Sequence, residues 1–193
     1  MSKSTRISLL LRVRDPADEE AWREFYELYG PLIYSYARSR GLHHDDAEEI
    51  KSVCLETLVK SMKTFEYEKS KGGFRAFLRT MVHRRIVDRL RKRRELLAES
   101  GQLESIADKG LDAAAAWDQA TTRRYLAYCV ERVRDRVSPQ TSTIFDLLTR
   151  DRLSVAEVCE REQVSANHVY KVKSRMIEMI RKEMDLLDPG LLQ

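Results

Sequence analysis

Glycine and proline are scarce, with seven and four among 193 residues. So few turn-forming residues leave long stretches with nothing to interrupt a helix, and strand-like alternation of polar and apolar residues is rare. An all-α fold follows. Cysteine is scarcer still. Cys54, Cys129 and Cys159 are odd in number, far apart and never in a CxxC pair. That pattern argues against a disulfide framework and a structural zinc site, and it fits a reducing cytosol. His43 and His44 adjoin Asp45 and Asp46. Adjacent side chains on a helix do not face each other, so these read as loop and N-cap residues rather than metal ligands. Long apolar runs are missing too. Ile7 to Val13 is short and interrupted by Arg12, too short for a signal peptide or a membrane span. These absences predict a soluble cytoplasmic protein with no metal, no cofactor, no membrane contact and no small-molecule substrate.

What the chain does have is concentrated positive charge. The segment Lys71 to Arg94 holds ten Lys or Arg residues and one acid, Asp88, a formal charge of +9 in a chain whose total is +4. Phe74 and Phe77 stand among those charges and are expected to be exposed. Basic side chains beside exposed aromatics suit a polyanion that also has faces to stack on, which means nucleic acid. A merely solvated helix would alternate its signs more.

Along the chain, Asp15-Pro16 is expected to open a helix with Trp22, Phe25, Tyr26 and Tyr29 on one broad face, interrupted or kinked at Gly30-Pro31. Leu32 to Ser39 continues it as far as Gly41. A third helix, capped by Asp45 or Asp46, runs to about Lys63 with Ile50, Val53, Cys54, Leu58 and Met62 on its apolar stripe. Cys54 reads there as a small core residue. After the loop Glu68 to Gly73, a long helix from Phe74 carries Leu78, Val82, Ile86 and Leu90 at four-residue intervals, so one side is buried. Glu95 to Asp118 holds six acids and one lysine and reads as a flexible acidic linker, partly helical at its end. It separates a domain of residues 5–95 from one of 117–187, the linker proper being 96–116. In the second half, Ala120 to Val137 is expected to turn Leu126, Cys129, Val130 and Val133 inward. Ser138-Pro139 starts a helix carrying Ile144, Phe145 and Leu148.

Ser154 then caps a short helix and Ser165 a longer basic one, a helix-turn-helix pattern in SVAEVCEREQVSANHVYKVKSRM. Val155, Val158, Cys159, Val164, Val169 and Val172 fall where the two helices would pack. Asn167, His168, Tyr170, Lys171, Ser174 and Arg175 are left to project outward, and these types contact base edges or phosphates. An ordinary helical hairpin shares the pattern. Gln163 stands where such turns usually have glycine, which predicts a longer or differently shaped turn.

The order of these pieces resembles the extracytoplasmic-function sigma factors of bacterial RNA polymerase, the two-domain form of the sigma-70 family. The resemblance rests on AWREFYELYGPLIYSYARSRGL, on DDAEEIKSVCLETLVKSMKTFEYEKSKGGFRAFLRTMVHRRIVDRLRKRR and on the helix-turn-helix stretch, and it covers nearly the whole chain. It implies a promoter-specificity subunit without catalysis of its own. Core RNA polymerase would be the partner, through the β′ clamp helices and β flap, together with promoter DNA in duplex and single-stranded form. An anti-sigma protein is admitted as a further partner. By position, Glu49, Ile50, Ser52, Val53, Glu56 and Lys60 would dock on the clamp helices. Phe65, Phe74, Arg75, Phe77, Arg79, His83, Arg84, Asp88 and Arg91 would open the −10 element and hold its strand in one groove. Ser165, Asn167, His168, Tyr170, Lys171, Ser174 and Arg175 would read the −35 element. The chain departs from the family at Ser52-Val53, where Gln and an acid are common, at Arg84, where asparagine is frequent, and at Phe77, usually tryptophan.

Two other readings compete. A stand-alone helix-turn-helix regulator explains the C-terminal half but leaves the basic helix idle. A nuclease or recombinase needs carboxylates at metal spacing, and Asp45, Asp46, Glu48 and Glu49 read better as a helix start.

Overall fold

Eight helices and no strand occur among the described residues of the computed structural model, which are 5–63, 73–99 and 113–187. They are α1 (Thr5–Arg12), α2 (Glu19–Ser39), α3 (His44–Met62), α4 (Gly73–Glu99), α5 (Ala113–Arg134), α6 (Pro139–Thr149), α7 (Val155–Glu162) and α8 (Ala166–Leu187). The all-α expectation is met. The chain divides into two compact units after Arg124, inside α5. Phe65 and the acids Glu104, Asp108 and Asp112 lie outside the described residues.

In the first unit α2, α3 and α4 pack on one another. α2 supplies Phe25, Leu28, Tyr29, Leu32, Ile33 and Tyr36, α3 supplies Cys54, Leu58 and Met62, and α4 supplies Phe74, Leu78, Val82 and Ile86, all buried. Each such large apolar side chain contributes about 1.5–3 kcal/mol by leaving water. Leu90, expected on the same line, is only half-buried. Burial pushes the Cys54 thiol up to about 11, so it packs as a neutral core residue.

Three expected helix boundaries shift for identifiable reasons. Asp15-Pro16 does not open α2. Asp15 Oδ1 accepts from the Ala17 amide at 2.9 Å in a local turn, and Asp18 is the cap, accepting from the Ala21 amide at 2.9 Å. Arg12 also grips both Asp18 oxygens at 2.8 and 2.9 Å, and that bond holds the carboxyl below its usual value of 3.8. α3 begins at His44 without a side-chain cap. Asp46, expected as a cap, instead accepts from Arg89 Nε of α4 at 2.8 Å. Finally, α2 runs unbroken through Pro31. Proline cannot donate to the carbonyl four residues back. That carbonyl, of Glu27, is taken by Arg124 Nη2 at 2.5 Å.

α5 takes in the end of the linker, starting seven residues before Ala120, and there Trp117 has a partner. Its ring meets Tyr36 edge-on, with centroids 5.0 Å apart at 89°. From Trp117 the inward face steps by four through Thr121, Tyr125, Cys129 and Val133, all buried. That register leaves Leu126, expected inside, 47% exposed, and Val130 half-buried. Burial raises the Cys129 thiol to about 12.

In the second unit α6, α7 and α8 pack pairwise. Ser138 caps α6 by accepting from the Thr141 amide, with Pro139 in the first turn. Leu147 rather than Leu148 joins Ile144 and Phe145 in the core. Ser154 and Glu157 form a reciprocal capping box on α7.

Candidate nucleic-acid interface

α4 is pinned along one line, Phe74, Leu78, Val82 and Ile86. Its remaining residues fall on two flanks rather than in the single groove expected from the sequence. On the first flank, a hollow of about 440 Å³ is lined by Phe77, Thr80, Met81, Arg84, Arg85 and Asp88. Phe77 is 36% exposed and Arg84 is exposed, so an aromatic face and a guanidinium share one recess. Arg91 continues this side, 3.7 Å from Asp88 and 3.8 Å from Glu95. Such a recess offers stacking and charge to an unstacked base and its phosphate.

Arg75, Arg79 and His83 lie on the other flank, toward the start of α5. Arg75 Nη2 donates to Asp118 Oδ1 at 2.5 Å, and Arg79 lines the same notch as Trp117. The Tyr36 hydroxyl donates to the Ala113 carbonyl at 3.2 Å and lies 3.4 Å from His83 Nδ1.

Phe74 requires a correction. Expected among the exposed aromatics, it is 1% exposed and in edge contact with Phe25 and Tyr29, at centroid distances of 5.8 and 5.1 Å. The first inward position of a helix pinned every fourth residue is a core position, whatever charges flank it.

On α3, Glu49, Ser52, Glu56 and Lys60 are exposed and Val53 is half-buried. Ile50 is turned inward at 7% exposure, which removes it from the docking face. Glu56 accepts from Lys60 at 2.6 Å, which lowers its carboxyl below the ordinary value. Glu49 lies 2.8 Å from Arg89. A smaller hollow between α3 and α4 brings Glu49, Ile50 and Val53 beside Asp88 and Arg91, joining residues expected to serve different partners. His43 Nε2 accepts from Arg93, and His44 Nδ1 lies 3.0 Å from the Tyr34 hydroxyl, so the two rings have separate partners.

On α8 the residues expected to point outward do so. Ser165, Asn167, His168, Tyr170, Lys171, Ser174 and Arg175 are all exposed, while Val169, Val172, Met176 and Ile180 are buried. Ser165 Oγ also accepts from the His168 amide at 3.3 Å, so it starts the helix as well as facing outward. The turn before it is tight, not longer or differently shaped as expected. Gln163 adopts φ 54° and ψ 45°, and the amides of Gln163 and Val164 both donate to the Cys159 carbonyl. Its own side-chain amide donates to the Glu160 carbonyl at 2.6 Å, offsetting the left-handed strain that glycine would avoid.

Sequence reasoning missed Asp118, Arg124 and Tyr36. The proline inside α2 signals an unpaired Glu27 carbonyl, but nothing local names a donor 97 residues away.

Comparison with known proteins bears on both halves. Residues 25–95 match the family model described as Sigma-70 region 2. The protein named ECF RNA polymerase sigma factor SigK in Mycobacterium tuberculosis is 30% identical over 195 residues, spanning 96% of this chain and 95% of that one. Its namesake in Mycobacterium bovis matches to the same extent, and that of Mycobacterium ulcerans is 29% identical over 196 residues, 96% of each chain.

Proposed function

The chain belongs to the extracytoplasmic-function (ECF) class of sigma-70 RNA polymerase sigma factors, and from that premise we propose a division of its work among three faces. As a sigma factor it directs core RNA polymerase to promoters and assists their opening, so its partners are the polymerase and promoter DNA. The exposed side of α3, with Glu49, Ser52, Val53, Glu56 and Lys60, docks on the polymerase. The Phe77, Arg84, Asp88 and Arg91 flank of α4 takes the non-template strand of the −10 element as it separates. The outward face of α8, led by Asn167, His168, Lys171 and Arg175, reads the −35 element in the major groove. Strand opening draws on binding energy, and nucleotidyl transfer stays with the polymerase, in the cytoplasm.

The observation that carries this reading is α4 itself. A 27-residue helix anchored along one line, with an aromatic and a guanidinium in one exposed recess, lies within the segment that matches region 2 except for its last residues. A duplex-reading regulator has no use for that recess.

Reconstitution with core polymerase and a library of promoter fragments tests it. Transcripts should start at defined sites. Arg175→Ala should relax preference at one upstream position by about 1–3 kcal/mol. Arg84→Ala should lower open-complex formation more than initial binding. Tight sequence-specific duplex binding without polymerase, and no transcription with it, would sink the assignment.

A further inference from the structure

The second flank of α4 has no role in the division above. Arg75, Ala76 and Arg79 line a notch of about 230 Å³ whose other lining residues, Trp117 and Asp118, come from the first turns of α5. Trp117 is 1% exposed, and its indole Nε1 finds no hydrogen-bond partner among the described residues. Two guanidiniums are donors only, so the complementary ligand is an anion with several acceptor oxygens. α5 brings such an acceptor itself. Asp118 Oδ1 takes the Arg75 Nη2 proton at 2.5 Å, although the Asp118 side chain is 57% exposed and has water as an alternative.

The family resemblance already implies that Arg75 and Arg79 hold the separated strand; we propose that Asp118 occupies their notch as an internal competitor for a strand phosphate until the strand arrives. The proposal rests on the reading of α4 as the strand-handling helix. The notch spans the same turns of α4 as Phe77 and Thr80, so a strand seated on the first flank carries its next phosphates toward the second. Arg75 is neutralised by Asp118 beforehand, and an incoming phosphate must displace that carboxylate. The start of α5 therefore belongs to the strand-binding surface and sets its tightness.

The test uses the full chain, a fluorescein-labelled 12-mer of thymidine and anisotropy over a range of salt. Asp118→Asn should bind about two- to fivefold tighter, the scale of a partly exposed ion pair. Its plot of log affinity against log salt should steepen, because Arg75 no longer releases a carboxylate when it takes the phosphate. Asp118→Glu should stay at the wild-type value, showing that charge and not packing is responsible. In an Arg75→Ala background Asp118→Asn should change nothing. No gain for Asp118→Asn, or an equal gain without Arg75, overturns the proposal. So does displacement of the strand by inorganic phosphate at matched ionic strength, which would assign the notch to a free anion. Arg84→Ala separates the two layers of inference. If it weakens binding while Asp118→Asn has no effect, only the competitor falls. If neither Arg84→Ala nor Arg75→Ala weakens binding, the strand-handling role of α4 falls as well.

Discussion

Phe74 is 1% exposed between Phe25 and Tyr29, whereas Phe77, nearly one turn on, is 36% exposed beside Arg84. Truncating a buried phenylalanine removes its transfer energy and leaves a cavity, at about 3–5 kcal/mol. Phe74→Ala should lose that much in urea unfolding. Phe77→Ala should stay within about 1 kcal/mol of wild type while slowing open-complex formation. The reverse pattern would place the functional aromatic at Phe74. Both residues were legible as helical, since no glycine or proline interrupts the chain between Gly73 and the end of the helix. What separates them is phase: 74, 78, 82 and 86 form one line, and the line extends to the helix start. Gln163 shows the opposite limit. Its left-handed backbone contradicts residue preference, and only the bond to the Glu160 carbonyl, seen in three dimensions, accounts for it.

At the scale of elements, α2 passes through Pro31 because its partners are arranged around the defect. A proline inside a helix forfeits a hydrogen bond and costs about 3 kcal/mol, and α2 recovers part of that through Arg124 Nη2 on the Glu27 carbonyl. Arg124→Leu removes this donor while keeping an apolar stem. It should destabilise the chain by about 0.5–1.5 kcal/mol, the net worth of one hydrogen bond at an exposed carbonyl that water can reach. Pro31→Ala should reduce that penalty by restoring the internal bond. Equal losses with and without Pro31 would mean that Arg124 acts elsewhere. Caps were the most readable elements, because Ser138, Ser154 and Ser165 each act within three residues of themselves. Asp46 was misread as a cap because its real partner, Arg89, lies 43 residues away on α4. Composition places a carboxylate near a helix start, but the competing charge comes from tertiary packing.

For the whole molecule, the acidic stretch at 95–118 reads from composition as one separator, yet its last residues are built into the first unit. Trp117 is 1% exposed against Tyr36, Asp118 holds Arg75, and the division of the chain falls only after Arg124. Net charge cannot distinguish an acid in a spacer from an acid paired with a specific arginine. Trp117, the first large apolar residue after the acidic run, was the one signal that the spacer ends before it. The sequence reading assigned the tryptophan to the second domain, 117–187, whereas it falls in the unit that ends at Arg124. The units therefore imply different behaviour for two truncations. A fragment ending at Arg124 keeps Trp117 and Arg124 on α2, and should unfold cooperatively. A fragment ending at Glu95, the boundary that composition suggests, leaves the Tyr36 face uncovered and the Glu27 carbonyl unpaired. The loss of one buried tryptophan alone is worth about 3–5 kcal/mol. Urea unfolding of the two fragments should differ by at least that amount, with the shorter one showing the lower midpoint. Equal midpoints would mean that the first turns of α5 contribute no stability to the strand-handling half, and that its boundary does lie at the acidic run.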